Sequence, residues 1–180
     1  MRSWIPLLAC LILLACQQKP VFPGTPVTRQ EEGEVHTLLG SRTTATIGGA
    51  TSIIGYRIVS PLARDFETLK RTHPLAGGYP VLEQVPVPLP AGREIAAILL
   101  NPQTYDQKYQ TSCNFDPGYL LTFRRGADSV DVVLCFHCGD LEIVPSNSLR
   151  EAGTGQPFGQ ASAKLYRIVT KVILTRQPPA

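Results

Sequence analysis

Between Tyr119 and Val144 apolar and polar positions alternate in three short runs, the clearest periodic signal in the chain. Tyr119, Leu121 and Phe123 fall on one face of an extended segment, Val130, Val132 and Leu134 on one face of the next, and Leu141 and Ile143 on a third. Turn-rich segments, Arg124-Arg125-Gly126-Ala127-Asp128 and Cys138-Gly139-Asp140, separate them. This pattern predicts an antiparallel meander with one buried face. If Phe123 lies opposite Val130, paired residue numbers sum to about 253, which sets residue 113 across from about residue 140.

Elsewhere the spacing is helical. Ile95, Ile98 and Leu99 recur at i, i+3 and i+4 within Gly92 to Asn101, and Pro102 stops the run. Leu165, Ile168, Val169, Val172 and Ile173 make a wider stripe after a capping Ser162, enough to cover a sheet; a strand from Tyr166 to Leu174 is the alternative. A short helix is expected from Thr28 as N-cap, with Glu31 at N3, to Gly40 as stop. Thr43 to Ser60 is rich in threonine, isoleucine and valine with Gly48-Gly49 in the middle, and predicts two strands, 43–47 and 52–59.

The segment from Pro61 to Pro80 reads as a loop with one helical turn near Asp65 to Lys70. Leu82 to Leu89 alternates, but Pro86 and Pro88 cannot donate to a ladder, so it is an edge strand or extended loop. Residues 145–162 read as loop. The elements sum to one α+β domain over residues 28–180, a small, mostly antiparallel sheet with helices packed on one face.

The amino terminus is of a different kind. Arg2 precedes an apolar run, Trp4 to Ala15, broken only by Pro6 and too short for a permanent membrane span. Its end, Leu13-Leu14-Ala15-Cys16, resembles the lipobox of bacterial lipoproteins. The resemblance implies removal of residues 1–15 as a signal peptide, acylation of Cys16, and a membrane partner reached through the lipid. Gln17 follows rather than the aspartate used for inner-membrane retention, which implies an outer-membrane anchor with the domain facing the periplasm. Leu7-Leu8-Ala9-Cys10 has the same local pattern but leaves no full apolar region ahead of it. Residues 16–27 then form the lipidated cysteine and a proline-rich tether, reaching on the order of 20–30 Å.

Composition narrows the classes of function. A formal net charge of +3, or +2 without Arg2, is too small and scattered for nucleic-acid binding. Sixteen prolines and fifteen glycines disfavour an all-helical fold. The histidines His36, His73 and His137 lie far apart, and no zinc-protease, serine-hydrolase or phosphate-loop motif is present. No cofactor is implied. Asp65 with Glu67, and Asp140 with Glu142, share a strand face by spacing and read as solvated carboxylates.

The chemistry-bearing cluster is Cys135-Phe136-His137-Cys138 with Cys113. With Cys16 acylated, three thiols are left in an oxidising compartment. Hairpin geometry pairs Cys113 with Cys138 or with Cys135 as a structural disulfide. A zinc site from Cys113, Cys135, Cys138 and His137 is a second reading, though it has only one cysteine knuckle. A thiol–disulfide enzyme with Cys135 as the more exposed nucleophile is a third, though no helix follows the motif to activate the thiolate. Cys113 with Cys135, Phe136 and Cys138 is also similar to a group of uncharacterised bacterial envelope proteins, which implies a shared small domain and nothing more. The reading is a membrane-anchored binding or structural module, with an envelope protein as a possible partner, rather than an enzyme. Arg124-Arg125 reads as a solubilising hairpin tip, and Tyr105 with Tyr109 as a packing pair after the helix.

Overall fold

The computed structural model describes residues 29–105, 113–145 and 156–174. In chain order its elements are α1 (Arg29–Leu39), α2 (Ser41–Gly48), β1 (Ser52–Ile58), α3 (Phe66–Thr72), β2 (Leu75–Ala76), β3 (Tyr79–Pro86), α4 (Leu89–Leu99), β4 (Tyr119–Arg125), β5 (Asp128–Cys135), β6 (Asp140–Pro145), β7 (Gln156–Pro157) and α5 (Gly159–Leu174). The strands form one antiparallel sheet in the order β2-β3-β1-β4-β5-β6-β7. The fold is α+β.

The expected meander is β4-β5-β6. Tyr119 pairs with Leu134, Leu121 with Val132 and Phe123 with Val130, and Val132 then pairs with Ile143 and Leu134 with Leu141. The period of two sends these residues to one face, where Leu121, Phe123, Val130, Val132, Leu134 and Leu141 join the main core. On the far side of β4, β1 adds Ile53 opposite Phe123, and β3 adds Val85 opposite Gly55. Helices α2, α4 and α5 cover this face with Ile47, Ile95, Leu99, Leu165, Val169 and Ile173. The opposite face carries a smaller cluster of Tyr56, Ile58, Tyr79, Leu120 and Val133, against which Phe66 of α3 and Phe115 pack. One helix therefore lies across from the other three sheet-covering helices.

Several boundaries depart from the sequence reading. Residues 43–47 are helix, not strand: Thr43, Thr44, Thr46 and Ile47 are buried on one side of α2. The Thr44 and Thr46 hydroxyls donate to the carbonyls of Gly40 and Arg42 one turn back, so burial costs no unsatisfied hydroxyl and tertiary packing overrides β propensity. Gly48-Gly49 does punctuate the segment, as the helix end. Helix α4 begins at Leu89 because the fixed φ of Pro90 suits a first turn. Gly92 lies inside it, where a Cβ would sit 2.5 Å from Ile53 Cδ1. Helix α5 begins at Gly159; Ser162 is within it and donates its N–H to Phe158 O at 3.0 Å, so the strand alternative for this segment does not hold. Helix α1 runs to the predicted stop at Gly40, whose φ is +81°, while Thr28 lies outside the described residues. The short turn near Asp65 is a full helix, α3, and Gly77-Gly78 joins β2 to β3 with positive φ at both glycines.

The carboxyl end of α4 has carbonyls with no intrahelical partner, and two following side chains satisfy them. Thr104 Oγ1 donates to Ile98 O at 2.5 Å, and the Tyr105 hydroxyl donates to Leu99 O at 2.6 Å. Burial pushes the Tyr105 phenol well above its ordinary pKa. Tyr105 thus belongs to the core, as expected; Tyr109 lies outside the described residues. At the hairpin tip, Arg125 Nη1 donates to Ala45 O at 3.0 Å near the end of α2, and Arg42 pairs with Asp128, whose carboxyl is held below its usual pKa by the hydrogen bond from Arg42. Arg125 is therefore a docking residue, not only a solubilising one. No helix among the described residues is long and apolar enough to cross a membrane.

Leu134 is fully buried at the centre of the meander. Leu134→Ala is expected to cost about 2–5 kcal/mol in urea unfolding, while Leu82→Ala, at 44% exposure on β3, should stay within about 0.5 kcal/mol of the parent. Because the folded state keeps the Tyr105 proton that the unfolded chain releases near pH 10, stability is expected to be fully present below about pH 10 and to fall as pH rises above it. Thermal melts of Tyr105→Phe should show a weaker alkaline decline than the parent.

Candidate functional site

The cysteine cluster sits at the base of the β4–β5 hairpin. Strand β5 ends at Cys135, and the turn to β6 closes with the Gly139 N–H donating to Cys135 O at 3.0 Å. Gly139 has φ +70°, a left-handed conformation suited to glycine. The turn places Cys138 against the segment that leads into β4, where it is bonded to Cys113 with 6.0 Å between Cα atoms. The Asn114 carbonyl oxygen lies 3.1 Å from Cys138 Sγ. Cys113 is exposed and Cys138 is buried.

Cys135 is the free thiol, and it is buried rather than exposed. The Cys138 N–H donates to its sulfur at 3.2 Å. Alternation sets Cys135 on the face of β5 opposite Leu134, the face that carries Val133. Strand β6, not a helix, follows the motif, so no helix N-terminus faces this thiol. The four-residue metal set does not assemble either. Cys113 and Cys138 are joined to each other, His137 is exposed, and no three His, Cys, Asp or Glu side chains converge as a metal group among the described residues.

Phe136, between the two cysteines of the cluster, is a packing hub. Its ring meets Tyr119, Phe158 and Tyr166 edge-on at centroid distances of 5.7, 5.8 and 5.1 Å. These contacts hold the first turns of α5 to the hairpin base. Tyr119 has its phenol pKa raised by burial and, secondarily, by Tyr166 beside it. On the same face of the sheet as Tyr119, Arg57 Nε and Glu83 Oε2 lie 3.7 Å apart, an ion pair longer than a hydrogen bond.

The two carboxylate pairs differ in their surroundings. Asp65 and Glu67 are exposed at the start of α3, a helix and not a strand. Glu142 is buried rather than solvated, and both it and Asp140 are engaged in contacts.

A groove of about 660 Å³ lies between α4, α5 and the chain leading from β3 into α4. Its apolar lining is made by Pro86, Pro88, Pro90, Ala91, Ile168 and Val172. The alternation Val85-Pro86-Val87-Pro88 buries both valines in the core and leaves the prolines outside. Lys164, Arg167, Lys171 and Glu94 also line it, and Glu94 pairs with Lys164 at 2.9 Å. The groove is of the size usual for small-molecule sites. The sequence signals were the alternating prolines and two i, i+4 rows on α5, Lys164-Ile168-Val172 and Arg167-Lys171. Comparison of the chain with protein-family models, curated proteins and solved structures gives no match.

Replacing Cys113 and Cys138 together by serine is expected to lower unfolding stability by about 3 kcal/mol, the loop-closure contribution of a 25-residue separation. The buried Cys135 thiol should resist alkylation in the native protein and react only after denaturation. Mass spectrometry after iodoacetamide treatment, with and without denaturant, reads both states.

Proposed function

We propose that this chain is a bacterial lipoprotein, acylated at Cys16 and anchored by its lipid to the outer membrane, which holds an α+β binding module in the periplasm. The observation that carries the anchor is the apolar run from Trp4 to Ala15 ending in Leu13-Leu14-Ala15-Cys16. Acyl chains buried at about 0.8 kcal/mol per methylene make such attachment effectively permanent when several are present. The Cys113–Cys138 pairing supports the same compartment, since structural disulfides persist where the surroundings are oxidising.

A binding role is favoured over catalysis by the placement of the side chains. His36 and His73 contact the threonines Thr44 and Thr72, and the free thiol is buried. One site with room for a second molecule is the α4–α5 groove, lined by apolar and charged side chains. A thiol–disulfide role would use Cys135, whose sulfur accepts the Cys138 N–H. The burial of Cys135 weighs against exchange with an outside substrate, and native-state alkylation separates the two readings.

The anchor is tested by Cys16→Ser. The variant is expected to keep its leader uncleaved, to take up no radiolabelled palmitate and to lose its outer-membrane fractionation. Unchanged processing, labelling and fractionation would refute the lipoprotein reading.

A further inference from the structure

We propose that Cys135 is an internal exchange thiol: it takes Cys138 from Cys113, and the Cys113 thiol so released is a site of covalent modification by small disulfides. This goes beyond the binding-module reading and depends neither on the groove nor on acylation of Cys16.

Three sulfurs gather at the hairpin base, and they are not equivalent. Cys113 is exposed, Cys138 is buried and bonded to it, and Cys135 is free and fully buried. Burial shields Cys135 from molecules outside but leaves it one neighbour inside. Its sulfur accepts the Cys138 N–H at 3.2 Å, so it touches the residue whose own sulfur is half of the disulfide. The Gly139 N–H donates to Cys135 O at 3.0 Å and folds residues 135–139 into a single turn. Across that turn the two cysteines have the Cys-x-x-Cys spacing of redox disulfides.

Solvation sets the direction of exchange. The Cys135 thiolate attacks Cys138 Sγ, a Cys135–Cys138 bond forms as the Cys138–Cys113 bond breaks, and the electron pair leaves on Cys113 Sγ. One S–S bond replaces another, so no oxidant or reductant is consumed; Cys135 loses a proton to solvent and Cys113 gains one. Attack on Cys138 expels the thiolate at the exposed position, where water stabilises it. Attack on Cys113 would expel it at Cys138, which is 3% exposed, at the cost of a buried charge. Once protonated, the Cys113 thiol has an acceptor in Asn114 O, 3.5 Å from its sulfur. As the thiolate it attacks a small disulfide RSSR, forming Cys113–S–S–R and releasing RS⁻. The modified form gives up the staple between the segment before β4 and the β5–β6 turn.

The test incubates the native full chain with iodoacetamide over hours, the timescale of uncatalysed disulfide rearrangement, followed by an acid quench and tryptic digestion. Cleavage after Lys108, Arg124, Arg125 and Arg150 puts Cys113 in the peptide 109–124 and both Cys135 and Cys138 in the peptide 126–150, so the two bonding patterns differ in mass. The expected products are peptide 109–124 alkylated at Cys113 and peptide 126–150 closed by its own disulfide. Cys135→Ala should lose this labelling and keep the two peptides linked. Cys135→Ser repeats the test should alanine lower the melting temperature, and the peptide pattern of the parent decides without either variant. Oxidised glutathione in place of iodoacetamide should leave one glutathione on Cys113 of the parent and none on the variant. Peptides that stay linked and unlabelled in the native parent would overturn the proposal. So would label on Cys135 with the linkage intact, or equal label on Cys113 in parent and variant. Cys10 and Cys16 fall in another peptide, so the result is read apart from the anchor.

Discussion

The pairing of Phe123 with Val130 is the contact from which the rest of the molecule takes its orientation. Period-two geometry propagates from it along β4 and β5, so one register sends Leu121, Val132 and Leu134 to the main core and Leu120 and Val133 to the other side. A slip by one residue would turn every one of these side chains to the wrong face. The same register brings the segment before β4 against the turn after β5, which is where the disulfide closes. The staple follows from the ladder and holds its open end.

Helix α5 depends on that hairpin base in turn. Phe136, in the turn between β5 and β6, meets Phe158 before the helix and Tyr166 within it, while Tyr119 of β4 closes the group. Residues that look like a redox or metal motif in sequence are therefore used to seat a helix. That helix supplies one wall of the groove, and α4, whose last carbonyls are satisfied by Thr104 and Tyr105, supplies the other. The two walls are braced independently, one by aromatic packing and one by hydrogen bonds.

What was legible in the sequence is what depends on local period. The meander, its register and the buried stripe of α5 all follow from alternation or from i, i+3, i+4 spacing. Residues 43–47 were misread because β-branched side chains predict a strand, whereas burial of Thr43, Thr44, Thr46 and Ile47 against the sheet selects a helix. The placement of β1 between β3 and β4 joins segments more than sixty residues apart, a pairing that local pattern does not encode. The candidate site shows the same division. Hairpin geometry narrows the partner of Cys113 to Cys138 or Cys135 and only the folded chain selects Cys138, while the groove needs α4 and α5 side by side, and neither helix alone announces it.

The sheet ends in strands of only two residues, β2 and β7. Strand β2 pairs with Tyr79 and Pro80, so β3 from Val81 onward has no strand on its outer side among the described residues. That stretch carries Glu83 and ends in Pro86, with Pro88 beyond it, while the other end of the sheet carries Pro157 in β7. Missing amide hydrogens and a charge make both borders poor templates for an added strand. Such borders oppose the growth of a shared sheet from one molecule to the next. The prolines that line the groove therefore also keep the sheet edge from recruiting a second chain.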